Sequence, residues 1–435
     1  MSQSQSTCIR AMAKDRAEQV AYYRFLENPS VTSSTLLESL RAHCHQQVSE
    51  RHVLAISDTS EINLQAHAGR LKAEGLGVVG NNTDIGFFIH PTLVVDASSG
   101  LPLGLSHIQL WNRAVERLSK EERDYRSLAI EEKESYKWIA AALGSSECFS
   151  RSGVTQVTYI GDSEADIYEP WFQIPQAGGD LLVRACRDRR LFEQPEKLYD
   201  TLAAQPVAGT YWVDIPADPR AQRSARRAQM SLRYTLVKLR RPDKLTGDYP
   251  PFAQLNAIEV VEQAPPDGEA AIHWRLLTTH PVDSVQQVEQ IIQWYRWRWQ
   301  IELLFATLKQ RGLEIEASQL ESIAAIQKLC IMALSVAVTI LQLTLGREHT
   351  AESADLVFDD PRQQFALQLV PKVEGHTQKQ KNPYPTHSLA WLAWLIARLG
   401  GWSGYRSQRP PGCQTMYRGL QQFEMMFSGW QLAAP

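Results

Sequence analysis

The chain has 435 residues, of which 44% are hydrophobic and 21% charged; these are the proportions of a globular protein with room for two or three domains and a sizeable core. A formal net charge of −3 excludes a nucleic-acid binder that works through overall positive charge alone. Cys8, Cys44, Cys148, Cys186, Cys330 and Cys413 are scattered without a CxxC pair or zinc-ligand spacing, which excludes a disulfide framework and fits free thiols in a reducing cytoplasm.

Met1 to Thr7 is polar and lacks an apolar signal core. Residues 51–60 read as an apolar strand, Val53-Leu54-Ala55-Ile56, that ends in Ser57-Asp58-Thr59. Gly86 to Val95 and Leu101 to Trp111 follow as strands joined by Ser98-Ser99-Gly100. Glu131 to Leu143 has helical character, with Trp138, Ile139 and Leu143 on one side. Val154 to Ile160 alternates as a strand and ends in Gly161-Asp162; Ser163 to Trp171 opens a helix, and Leu181-Leu182-Val183 is a further strand. Three strands, a helix, a strand, a helix and a strand is the order of a ribonuclease H-like α/β fold, an expectation by analogy.

Arg184, Arg187, Arg189 and Arg190 form a basic cluster. Between Arg220 and Lys244 a second contains Arg223, Arg226, Arg227, Arg233, Lys238, Arg240 and Arg241 against Asp243. Local strips of this kind can follow a phosphate backbone, or be solvated loops. From Gly209 to Leu277 the pattern changes to short alternating segments, as in a β-rich insertion. Val282 to Arg311 reads as one long helix. Leu329 to Leu341 is the longest apolar run, too short to span a bilayer and expected to be a buried helix. Glu352 to Tyr384 is polar with mixed charge, as expected of a linker. Ser388 to Leu399 and Met416 to Phe427 look helical, the first stopped by Gly400-Gly401. The histidines show no metal-ligand spacing and read as ordinary packed or surface residues. Without a glycine-rich phosphate loop, nucleotide hydrolysis is not expected.

On the long helix, at about 100° per residue, Tyr295, Arg298, Glu302 and Lys309 fall within roughly a 60° arc. Trp294, Trp297, Ile301, Leu304 and Leu308 form a second stripe that can be buried. The first arc offers a carboxylate, two cations and a phenol to one ligand, a set that suits a metal-bound phosphodiester. In a ribonuclease H-like sheet the strands that end at Asp58 and Asp162 are neighbours, and Glu302 could complete a set of three carboxylates. Such a set, with water and phosphate oxygens, can hold two Mg²⁺ about 3.5–4 Å apart. Each acid also has a plainer reading. Asp162 could cap the helix that follows it, Asp58 could close a strand-end turn, and Glu302 could pair with Arg298 on the surface.

The spacing Tyr295-(2)-Arg298-(3)-Glu302-(6)-Lys309, with Ser57-Asp58-Thr59 and Gly161-Asp162-Ser163-Glu164-Ala165-Asp166-Ile167 upstream, resembles the insertion-sequence-four family of DDE transposases, and within it the transposon-five type. Ala21 to Pro29, Glu132 to Trp138 and Ile396 to Gly401 are similar too, so the likeness spans nearly the whole chain. The resemblance implies Asp58, Asp162 and Glu302 as catalytic metal ligands for two Mg²⁺, with Mn²⁺ able to substitute. It implies Tyr295, Arg298 and Lys309 at the phosphates, Arg184 near the active site, and Asp166 supporting the ligands. Trp274 falls where the family places an aromatic in the gap left by an extruded base; a packed strand tryptophan is the other reading. The implied reaction is 3′-end nicking, hairpin formation and opening, and strand transfer into target DNA. It is carried out by a homodimer on paired double-stranded ends, in a bacterial cytoplasm at the nucleoid, with no membrane.

The implied organisation is a shortened helical N-terminal DNA-binding remnant (1–50) and a ribonuclease H-like core in two parts (51–208 and 280–346). A β-rich insertion (209–279) and a helical C-terminal dimerisation region (347–435) complete it. Phe305 and Ala306 depart from the family pattern, which has polar and basic residues there. About 20 residues precede Tyr22, fewer than the family uses to recognise its ends. That favours, as an alternative, an N-terminally truncated regulator that dimerises with full-length transposase.

Overall fold

The computed structural model describes residues 7–115, 125, 128–219, 222–405 and 408–433; residues 1–6 and Arg220 of the basic stretch lie outside the described residues. Its centre is a ten-stranded sheet. The strands are β1 (His52–Ser57), β2 (Ser60–Asn63), β3 (Gly86–Asp96), β4 (Pro102–Trp111), β5 (Gln156–Gly161), β6 (Asp180–Arg184), β7 (Gly209–Ile215), β8 (Arg226–Arg240), β9 (Phe252–Gln263) and β10 (His273–Thr278). In space they run β4-β3-β1-β5-β6-β10-β9-β8-β7, with β2 continuing beyond β1 along β3. β1, β5 and β6 are parallel, and β3 is antiparallel to β1 and β4. That mixed α/β arrangement is consistent with the ribonuclease H-like expectation.

Helices α1 (Ile9–Met12), α2 (Arg16–Glu27) and α3 (Ser33–Gln47) precede the sheet. α4 (Lys137–Phe149), α5 (Pro170–Gln176) and α6 (Leu198–Ala203) connect its strands, and α7 (Val285–Trp297), α8 (Gln300–Lys309), α9 (Ile323–Leu345), α10 (Asp360–Val373), α11 (Leu389–Leu399) and α12 (Cys413–Ala433) follow. β1 is apolar at consecutive positions because both faces of the sheet are covered. Leu54 and Ile56 belong to one core with α7, α8 and α9, while Val53 and Ala55 belong to the other with α4 and α5.

Several expectations need correction. The segment 282–311 is two helices, not one. Arg298 and Trp299 form a turn in which the amides of Arg298, Trp299, Ile301 and Glu302 each bond three residues back, the tighter pattern that marks a break in an α-helix. The segment 209–279 is rich in strands, as its pattern suggested (β7 to β10), and β10 pairs with β6 through Leu276↔Arg184 and Thr278↔Leu182, so these strands extend the central sheet. The polar segment 352–384 is not a linker. It contains α10, which starts at an Asp359 cap and buries Phe365, Ala366, Leu369 and Val370. The expected helix from Glu131 begins at Lys137, after two 3₁₀ turns, and the one from Ser163 is a 3₁₀ turn at Ser163–Ala165 with α5 starting only at Pro170.

The apolar run near position 330 is longer than its sequence suggested. Ile323–Glu348 has the length and composition to cross a membrane, but 72% of its most apolar window is buried inside the protein, as in a core helix. The two basic clusters are also not single surfaces, because carboxylates and carbonyls within the fold take up most of their charge. Arg226 is held by Glu262 at 2.6 Å, Arg233 by Glu259 at 3.4 Å, Arg240 by Asp243 at 2.9 Å and Arg189 by Asp166 at 2.6 Å.

Candidate active site

β1 and β5 are parallel neighbours in the register Ile56↔Ile160. Two residues further on, that register sets Asp58 beside Asp162 at the carboxyl edge of the sheet. Glu302 arrives from the first turn of α8. All three acids line one cavity of about 1320 Å³, with Asp166 and Lys309 also in its wall. Among the described residues no three His, Cys, Asp or Glu side chains stand close enough to chelate a single ion as they are. The donor chemistry nevertheless fits Mg²⁺. The oxygens are hard, and they are gathered where repulsion between carboxylates is already felt.

That repulsion is legible at Asp58. Its carboxyl is pushed up to about 6, first by burial and then by Asp162, with Glu302 adding to the effect and Arg298 opposing it. Arg298 lies between two of the acids, with Nη1 2.8 Å from Asp58 Oδ2 and 3.8 Å from Glu302 Oε1. The expected Arg298–Glu302 pair therefore exists, but as the longer arm of a bridge to Asp58 and not as an isolated surface contact. Asp162 also has its capping role, since Oδ1 accepts from the Glu164 amide at 2.7 Å.

A consequence for stability follows from the Asp58 shift. Its value in an unfolded chain is near 3.8, so below about pH 4 both states hold the proton and the group has no effect. As pH rises from about 4 to 6 the folded chain keeps a proton the unfolded chain has lost, and stability falls by about 3 kcal/mol in all. Above about pH 6 the loss is complete. Urea unfolding of the metal-free protein at pH 4 and pH 7 is expected to show this decrement, and Asp58→Asn is expected to remove it. An equal pH dependence in both proteins would refute the assignment.

The other expected residues divide. Lys309 Nζ donates to the Glu61 carbonyl at 2.8 Å and pairs with Glu316 at 3.0 Å. Tyr295 is buried and is not among the residues of the cavity wall, with its ring 5.9 Å from the Arg298 guanidinium and 6.0 Å, edge-on, from Trp274. Burial pushes its phenol up, against the pull of Arg298 and Arg184. Arg184 donates to the His273 carbonyl. Neither Trp274 nor Arg184 is among the residues of the cavity wall. Phe305 and Ala306 are, so that stretch of the wall is apolar. Asp166 is buried, with both oxygens engaged: Oδ1 by Arg189 at 2.6 and 3.0 Å and Oδ2 by the Cys186 amide at 3.0 Å.

Two neighbours of the site were not anticipated from sequence. Trp299 is 61% exposed on the turn between α7 and α8 and lines the cavity; an uninterrupted helix hides this, because only the break makes the position a projecting corner. His90, taken for an ordinary packed residue, lies across from Thr59, and its Nδ1 is 2.9 Å from the Thr59 hydroxyl.

Carboxylates gathered at the carboxyl edge of such a sheet, with cations beside them, are the kind of arrangement that metal-assisted phosphoryl transfer uses. Residues 147–339 match the family model of the transposase DDE domain. This segment includes Asp162, Tyr295, Arg298, Glu302 and Lys309, while Asp58 lies upstream of it. The match supports a DDE transposase, a DNA-binding enzyme that cleaves and transfers strands.

Proposed function

We propose that the protein catalyses cut-and-paste transposition of an insertion sequence of the insertion-sequence-four family. The steps are 3′-end nicking, hairpin formation and opening, and strand transfer. The observation that carries this reading is the meeting of Asp58, Asp162 and Glu302 in one cavity, with Arg298 bridging Asp58 and Glu302. Asp58, Asp162 and Glu302 would hold two Mg²⁺, or Mn²⁺, which would supply Lewis-acid chemistry at the scissile phosphate.

The chain's own groups do the rest. Arg298 fixes the orientation of Asp58 and keeps Glu302 within reach. Lys309, at the far end of α8, faces the scissile strand and binds phosphate once its partner Glu316 is displaced. Trp299 offers an exposed indole at the cavity, available to stack on a base that a hairpin forces out of the helix. Met425, Met426 and Leu432 are exposed apolar residues on α12, in keeping with a homodimer that pairs two double-stranded ends at the bacterial nucleoid.

The direct test is incubation of the protein with labelled DNA bearing the element's own ends, in Mg²⁺ and in EDTA. Hairpin intermediates are expected in Mg²⁺ alone. Cleavage that persists in EDTA, or its absence in Mg²⁺ with ends demonstrably bound, would overturn the reading.

A further inference from the structure

β1 and β2 are one strand with an interruption. β1 pairs with β3 through Ser57↔Thr92 and β2 resumes at Ser60↔Ile89, so the same register runs through the gap. Asp58 and Thr59 are the two residues left out, and the register sets them opposite Pro91 and His90. Proline has no amide hydrogen to give to a ladder, and here it faces the aspartate. The chain is thereby released from the sheet at the one position where its side chain must reach the cavity.

Something else must then hold the released segment. The Thr59 amide donates to Asp58 Oδ1 at 2.7 Å, which leaves Oδ2 toward Arg298. The Thr59 hydroxyl meets His90 Nδ1 at 2.9 Å in place of the missing backbone pairing. His90 is itself closely packed. It is fully buried, and Trp138 packs edge-on against its ring at 4.8 Å with Trp111 at 6.5 Å. Complete burial also favours the neutral imidazole, which can still make one firm hydrogen bond to a hydroxyl.

We propose that His90 is a positioning residue for the phosphoryl-transfer site: through the Thr59 hydroxyl it sets the backbone amide that orients the Asp58 carboxylate toward a divalent cation. The inference rests on the metal-dependent reading above. Partners one shell removed from a metal typically change affinity 10–100-fold when lost.

The test compares Thr59→Val, which removes the hydroxyl at nearly constant shape, with Thr59→Ser, which keeps it. Mn²⁺ binding is followed by electron paramagnetic resonance in the absence of DNA, and folding by thermal melting. Thr59→Val is expected to weaken Mn²⁺ binding at least tenfold in a protein that still melts in one cooperative transition; Thr59→Ser should stay within about twofold of the parent. His90→Asn on the Thr59→Val background should add no further loss, because both changes break one connection. Should His90→Asn fail to fold, the valine–serine pair alone decides. Equal Mn²⁺ affinity in the valine variant and the parent, or an equal loss in the serine variant, overturns the role of His90 and leaves the transposase reading standing. A parent protein that binds no Mn²⁺ overturns both.

Discussion

Glu302→Gln is expected to lower end cleavage and strand transfer by at least about a thousandfold while leaving the fold intact. The size of the effect comes from charge. Glutamine keeps the shape of the side chain but contributes no negative charge to a cation or to the balance with Arg298, and losing one preorganised electrostatic contact in a phosphoryl-transfer site costs on this scale. The fold should tolerate the change because the Glu302 side chain is 38% exposed and its contact with Arg298 is long, 3.8 Å. Arg298 retains Asp58 at 2.8 Å, so no buried cation is stranded. Hairpin and nicked products on labelled ends, quantified beside melting curves, check both halves of the statement. Equal cleavage by parent and variant would remove Glu302 from the reaction.

Asp166→Ala is expected to act in the opposite sense, with a large loss of stability. The Asp166 side chain is 0% exposed and the Arg189 side chain 9%. Two charge-assisted bonds to Oδ1 and one to the Asp166 carbonyl hold the guanidinium, and the remaining carboxylate oxygen holds the Cys186 amide. Truncating the acid strands a buried cation and a buried amide, a defect that typically costs about 3–5 kcal/mol. The double variant Asp166→Leu with Arg189→Met removes both charges and is expected to recover most of that loss, since paired apolar replacement of a buried ion pair is often neutral. Urea unfolding of the three proteins measures it. A loss under about 1 kcal/mol in Asp166→Ala would mean that water reaches Arg189. Activity should follow stability in this series, because both Asp166 oxygens are already engaged.

A good part of the molecule is legible in the order of its residues. Strand ends at Asp58 and Asp162 follow from short apolar runs closed by polar residues, and shortness, β-branching and the flanking polar residues, not period, distinguish such runs from helices. The spacing of Tyr295, Arg298, Glu302 and Lys309 selects one helical arc, and spacing is a local property. Capping was equally local: Ser388 accepts from the Trp391 amide at the start of α11, which ends at Gly400. The polar segment that contains α10 was misread because its apolar residues are few and their burial depends on partners far along the chain, such as Phe423 and Phe427.

The sequence by itself determined which side chains are candidates for the chemistry: three acids, two cations and their aromatic companions, at separations that local periodicity converts into faces and strand ends. Tertiary structure alone decided their relations. The break at Arg298-Trp299, the bridge from Arg298 to Asp58, the union of β10 with β6 and the pairing of His90 with Thr59 all join residues through contacts set by sheet register and core packing. Register is a collective property of two faces filling two cores at once, and no short window of sequence encodes it.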